Sequence, residues 1–236
     1  MNLVLLFEED WLEPGRRVSL GGRRRQHVLE IHRAQVGDEL RVGAVNGATG
    51  RGRIVRLDEE ILEMEVTLEA DPPPPLAVTV VLALPRPPVL RRTLISMTSM
   101  GVKRIVLLNA RAVEKSYWTS RALDKEAILE QCVLGLEQAR DTRMPEVVLR
   151  ERFKPFVEDE LASLVGDGRA FVAEASERVD APLALPGPVV LAVGPESGWN
   201  DYELLSLESA GLERLSLGAR PLRVEAALPA LLARLF

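Results

Sequence analysis

The chain has 236 residues, 47% of them hydrophobic, and a formal net charge of −5 at pH 7. That length supports a real core in one large domain or two smaller ones. The absence of a run of about eighteen apolar residues excludes a membrane-spanning helix. The single cysteine, Cys132, excludes an internal disulfide and fits a reducing cytoplasm, and two histidines beside it are too few for a dedicated transition-metal site.

The N-terminal stretch MNLVLLFEEDWLEPG is apolar but has neither a basic leader nor a small-residue cleavage site, so it reads as a first strand. A helix is expected near residues 24–35. Strands follow at DELRVGAV, GRGRIVRL and ILEMEVTLEA, separated by glycine turns; Ile61, Met64, Val66 and Leu68 repeat with roughly period two. Residues 1–71 thus read as a small β-barrel carrying a helix. From Pro14 to Leu57 ten arginines face only Glu30, Asp38 and Glu39, and from Asp58 to Asp71 there are seven acids and no base. The basic run has the form of a phosphate footprint. The competing reading is a solvated, salt-bridged surface.

Asp71 is followed by four prolines, Pro72 to Pro75, which cannot donate backbone hydrogen bonds and make a stiff spacer. Beyond them the pattern alternates. Strands are expected at 76–84, 104–109, 146–150, 169–174, 188–193 and 213–217, and helices at 87–100, 121–140, 153–165, 200–210 and 224–235. Runs such as VTVVLAL and VVLAV are continuously apolar, as interior strands of a parallel sheet are. Right-handed βα units then give a layered α/β domain. The last helix, VEAALPALLARLF, is apolar on more than one face and needs cover. Pro229 within it is expected to bend it.

Two loops carry most of the functional signal. Gly194-Pro195-Glu196-Ser197-Gly198 follows one apolar run, and Gly218-Ala219-Arg220-Pro221-Leu222-Arg223 follows the short strand before it. Glycines at strand ends let a ligand approach the backbone, and open α/β sheets bind ligands at the carboxyl ends of their strands. Two ordinary strand–helix turns are the alternative. No dinucleotide-type glycine pattern opens the first helix; that junction reads Leu84-Pro85-Arg86-Pro87-Pro88, and a P-loop is absent.

The whole segment VVLAVGPESGWNDYELLSLESAGLERLSLGARPLRVEAA resembles the C-terminal signature of the SPOUT methyltransferases. Within them it resembles the RsmE-type 16S rRNA uridine-N3 methyltransferases, whose loops typically read GPEGG and LGxRxLRxETA. Ser197 stands where that family has glycine, and Val224 and Ala226 where it has threonines. The resemblance covers nearly the whole chain. HVLEIHRAQVGDEL is similar to the family's HHLxxVLRxxxGDxL at His27, Arg33, Gly37 and Asp38. Met100-Gly101-Val102 and LEQARDTRMPEV resemble two further stretches, with Ser99 and Asp141 departing from a glutamate and an arginine.

The resemblance implies a PUA-like RNA-binding β-barrel over 1–71, a linker at 72–75, and over 76–236 a SPOUT α/β domain with a mostly parallel sheet and a trefoil knot. It implies S-adenosyl-L-methionine as cofactor, 16S rRNA or the small ribosomal subunit as substrate, a homodimer, and cytoplasmic action without metal or membrane. The cofactor is expected on backbone and apolar groups at Leu191, Gly194, Pro195, Glu196, Leu217, Gly218 and Leu222. Methylation of uridine N3 needs positioning, and either a base or a cation facing the anion spread over O2 and O4. Arg223 fits the cationic role. Glu196 fits as a ligand-orienting group or proton acceptor, ahead of Glu225, whose place at a helix start suits the dipole whatever the chemistry. Arg23, Arg24, Arg25, His27 and Arg33 are the candidate RNA contacts. Two other readings stay open: a SPOUT-fold RNA-binding or ribosome-assembly protein without catalysis, and an unrelated nucleotide-binding α/β enzyme.

Overall fold

The computed structural model describes residues 2–32, 34–177 and 180–236. The chain divides into two units, Met1–Pro74 with Val133–Met144, and Pro75–Cys132 with Pro145–Phe236. The proline run marks one boundary. The return of residues 133–144 to the first unit has no signature in the hydrophobic pattern.

The first unit holds β1 (Val4–Leu6), β2 (Trp11–Glu13), β3 (Arg17–Leu20), α1 (Gly22–His27), β4 (Glu39–Ala44), β5 (Thr49–Leu57) and β6 (Leu62–Ala70). Helix α1 continues as a wider turn, Val28–His32. The sheet order is β1-β4-β5-β6-β3-β2, with β1 parallel to β4 and the other neighbours antiparallel. Among the described residues β1 and β2 each pair on one side only, so the sheet is open where a closed barrel was expected. The hairpin of β2 and β3 was not foreseen; its strands are too short to display a period.

Alternation sets the faces. Val18 and Leu20 of β3 join Leu62, Met64 and Val66 of β6 in one core. Strand β1 is covered twice: Val4 and Leu6 enter that core, while Leu3 and Leu5 pack on Val133 and Leu136. Double cover explains its unbroken apolar run. The 133–144 segment is also stitched by a backbone bond, Asn46 N–H to Thr142 C=O at 2.8 Å, and by the Met144 N–H donating to the Asn46 side-chain Oδ1 at 2.8 Å.

The two charge runs meet, because β6 lies between β3 and β5. Arg17 and Arg56 both reach Glu63, at 2.6 and 3.3 Å, Arg53 reaches Glu65 at 3.1 Å, and Arg56 reaches Asp58 at 2.6 Å. Three of the ten arginines of the basic run, Arg17, Arg53 and Arg56, thus pair with acids of the acidic run. The backbone N–H groups of Ile61 and Glu60, with Arg56, hold the Asp58 carboxyl below its usual range.

The second unit contains β7 (Val78–Ala83), α2 (Pro87–Ser99), β8 (Arg104–Leu108) and α3 (Lys115–Trp118). Helix α4 (Lys125–Ala139) follows, shared with the first unit from Val133 onward. Then come β9 (Glu146–Arg150), α5 (Phe153–Pro155), α6 (Leu161–Val165), β10 (Arg169–Ala173), β11 (Val189–Val193), α7 (Asp201–Ser209), β12 (Glu213–Leu215) and α8 (Val224–Leu235). All neighbours in its sheet, ordered β12-β10-β11-β7-β8-β9, are parallel. Every residue of β11 is buried, as is all of β7 but Thr79, whereas the edge strand β9 has none buried. This matches a parallel sheet covered on both faces.

Helix α8 runs on through Pro229 and buries Val224, Leu228, Leu231, Leu232 and Leu235. Its large apolar side chains therefore find cover inside the unit, and Ala226, Ala230 and Ala233 remain exposed. Cys132 is buried in α4, and burial pushes its thiol up, so the thiolate is disfavoured. No described helix is long and apolar enough to cross a membrane.

One ion pair of the first unit is deeply placed. Arg24 bonds both oxygens of Asp10, which is 5% exposed, and also the carbonyl of Leu5 at 2.9 Å. Removing the guanidinium leaves a buried charge alone, at a cost of about 3–5 kcal/mol. Arg24→Ala is therefore expected to lower stability by about that amount in urea titration. Arg51→Ala is expected to stay within about 1 kcal/mol, because its partner Glu39 is 52% exposed.

Candidate active site

The carboxyl ends of β10, β11 and β12 open into a cleft of about 300 Å³. Its walls are Ala173, Glu174 and Ala175 after β10, the Gly194–Trp199 loop after β11, and Leu217 to Leu222 after β12, floored by Ala227 and Leu231 of α8. The glycines have defined reasons. A Cβ on Gly194 would lie 3.0 Å from the Trp199 indole nitrogen. Gly218 holds φ +118°, which side-chain-bearing residues avoid. Trp199 is 8% exposed, and its buried indole N–H has no acceptor among the described residues. Such donors are rare unless something else completes them.

Ser216 ties two walls together. Its hydroxyl accepts the N–H groups of Ser176 and Gly218, both at 3.0 Å, and Asp180 Oδ1 accepts the Ser216 N–H at 2.5 Å. The second glycine loop is thus held from within by a buried hydroxyl, 2% exposed.

Beyond the first glycine loop lies a polar rim. Glu196 lines the cleft and faces Arg86, with Nε to Oε1 at 3.9 Å. Tyr117 donates to Glu114 at 3.0 Å and feels the charges of both Arg86 and Glu196. Burial, and then the bond to Glu114, push the Tyr117 phenol above its usual range, so it stays protonated at neutral pH. Glu203, 3% exposed, accepts the N–H of Arg111 at 2.6 Å and that of Asn200 at 3.0 Å. Asn200 returns a cap to the Glu203 N–H at 2.9 Å. One buried carboxylate thereby anchors the segment after β8 to the start of α7.

Gly194, Pro195, Glu196, Leu217, Gly218 and Leu222 all line the cleft. Leu191 is fully buried within β11 and is not part of the lining. Arg223 is the exposed N-cap residue of α8, also outside the lining. Glu225 is gripped by Arg92 at 2.6 Å, and that hydrogen bond holds its carboxyl below the usual range.

The candidate RNA contacts are engaged inside the protein. Arg23 reaches Glu137 at 3.3 Å, Arg24 holds Asp10, and Arg25 Nε donates to the Asp58 carbonyl at 2.8 Å. Burial keeps the Glu137 carboxyl above its usual range despite Arg23. His27 ends α1, half-buried, with interactions of its own, and Arg33 lies outside the described residues. Sequence reasoning missed Ala173 to Ala175, Trp199, Ser216, Arg220 and Arg86. The rule that ligands sit at carboxyl strand ends would have flagged every loop on that edge, including the Arg86 junction. Among the described residues no group of three or more His, Cys, Asp or Glu is placed to hold a metal ion.

Residues 72–236 match the family model for the RNA methyltransferase domain. The chain is similar to the ribosomal RNA small subunit methyltransferase E of Treponema pallidum, 28% identical over 96% of this chain and 87% of that protein. It is similar to the enzyme of the same name from Mycobacterium bovis, 28% identical over 95% of this chain and 88% of that one. Among solved structures, ribosomal RNA small subunit methyltransferase E from Neisseria gonorrhoeae, bound to S-adenosyl methionine, matches with a TM-score of 0.75 at 20% identity, over 98% of this chain and 96% of that chain. At that identity the structural match bears on the fold. The family match spans the cleft, its rim and well over half the sequence, and the chain belongs to the RNA methyltransferase family.

Proposed function

We propose that the chain is a cytoplasmic S-adenosylmethionine-dependent methyltransferase that acts on N3 of a uridine in 16S rRNA, free or in the small ribosomal subunit. The observation that carries this reading is the two-loop cleft at the carboxyl ends of β10, β11 and β12, in a chain of this family. The residues present suit the cofactor. Gly194 and Gly218 leave backbone open, Leu217, Leu222 and Leu231 offer apolar faces to an adenine ring, and the Trp199 N–H awaits an acceptor. When bound, S-adenosylmethionine supplies an electrophilic methyl carbon. The chain's own work is to hold the acceptor nitrogen in line with that carbon.

The same reading takes residues 1–71 as a PUA-like RNA-binding domain, 72–75 as a linker and 76–236 as a knotted SPOUT domain working as a homodimer. Apolar surface for a second copy exists at Tyr202 and Leu205 of α7, 57% and 60% exposed, and at Leu222, 44% exposed.

Nucleotide-resolved mass mapping of rRNA from a strain lacking this gene is expected to show one uridine without its N3 methyl group, restored by the chain and S-adenosylmethionine. Unchanged rRNA, with the cofactor still raising the melting temperature, would instead support the non-catalytic reading. Ser216→Ala leaves the Ser176 and Gly218 N–H groups without that acceptor, worth about 1–3 kcal/mol. Urea titration should therefore show stability falling by about 1–3 kcal/mol, with the methylated position unchanged. Light scattering at micromolar concentration is expected to give the mass of a dimer; a monomer mass would remove the second copy from this reading.

A further inference from the structure

The connections of the parallel sheet part between β11 and β7. From β7 the chain passes through α2 to β8 on one side; from β11 it passes through α7 to β12, beyond β10 on the other. The crevice outside the carboxyl ends at such a parting is where open α/β sheets bind ligands. The cleft described above occupies only the β10–β12 side of it. Across the parting, the first loop after β7 presents Arg86 and the segment after β8 presents Glu114 and Tyr117. Glu196 stands between: it lines the cleft and faces Arg86 at 3.9 Å.

We propose that Arg86 is the catalytic cation of this enzyme, contacting the target base from the β7–β8 side of the crevice and stabilising the anion that forms when N3 loses its proton. Glu196 is its positioning residue. The assignment rests on the uridine-N3 reading of the same site. In the step concerned, the N3 proton leaves to water and the electron pair left on N3 bonds the methyl carbon. The carbon–sulfur bond breaks, and sulfur keeps its electrons. A guanidinium suits this better than an ammonium, because its planar fork can donate to a carbonyl oxygen as charge builds there.

Three features of the surroundings fit. Arg86 and Glu196 are about half exposed, 51% and 52%, so both can meet an incoming base. Arg86 is the N-cap residue of α2, so its backbone is fixed by the helix start, and the prolines Pro87 and Pro88 stiffen that turn. Tyr117 is a protonated donor already committed to Glu114, so it adds no competing negative charge on that flank. Arg223 is likewise an exposed N-cap residue, but its helix, α8, starts after β12, on the other side of the parting.

The test uses the full chain, S-adenosylmethionine and the RNA that the wild type methylates. Arg86→Ala is expected to lower kcat by about 10²- to 10³-fold, the usual effect of losing one preorganised donor to a developing anion. Cofactor Kd by calorimetry and the melting temperature should stay at wild-type values. The variant's rate should keep climbing with pH where the wild-type rate has levelled, because hydroxide must now do more to form the anion. Arg86→Lys should recover part of kcat, and Glu196→Gln should lower kcat more than it raises the KM for cofactor. A kcat for Arg86→Ala within about threefold of wild type, a parallel loss of cofactor affinity, or an unchanged pH profile would overturn the assignment. A wild-type product methylated on ribose would overturn the N3 reading and this assignment together, and product mapping separates that outcome from the others.

Discussion

All six strands of the second unit run parallel, so the loops that leave their carboxyl ends emerge at one edge of the sheet. Parallel pairing forces a long crossover after each strand, and the crossovers part between β11 and β7. That constraint gathers residues that are far apart in the chain, Arg86, Tyr117, Glu196 and Gly218 among them, at one edge. Neither a metal cluster nor a run of polar side chains is needed to make a site there. Buried apolar strands supply the rigidity, and short loops supply the chemistry.

The first unit is governed by a different balance. Its net-basic stretch reads as a phosphate-binding surface until the strands are paired. Then β6, which carries acids, lies between β3 and β5, which carry arginines, and Arg17, Arg53 and Arg56 pair with acids of the other run. Exposed pairs of this kind stabilise little. The Arg24–Asp10 pair is another matter, because burial makes each charge dependent on the other. A substitution there reports on folding before it reports on RNA. In the second unit Arg220 borders the cleft and Arg223 the start of α8, both exposed.

The central strands of the second unit, β7 and β11, were legible because their residues are almost all apolar, and that pattern does not depend on distant partners. The expected runs at 146–150 and 169–174 correspond to β9 (Glu146–Arg150) and β10 (Arg169–Ala173). The glycine loops were legible too, since glycine reports a local backbone requirement. What could not be read was contact at long range. Leu136 and Thr142 join the first unit through packing and hydrogen bonds to residues about a hundred positions away. Ser216 looked like any strand-end serine until its hydroxyl was seen to serve two loops. Arg86 was visible only as part of a junction lacking the expected glycines.

Glu196 links these levels. As a residue of a glycine-bearing loop it was readable as a functional group, but its role depends on what stands opposite. The fold sets a guanidinium there, from the loop after β7. A carboxylate on the wall of the cleft then does two things at once. It borders the cleft, and it holds the cation that faces the other half of the crevice. On the assignment proposed above, one side chain borders the cleft and stands opposite the cation on the far side of the crevice.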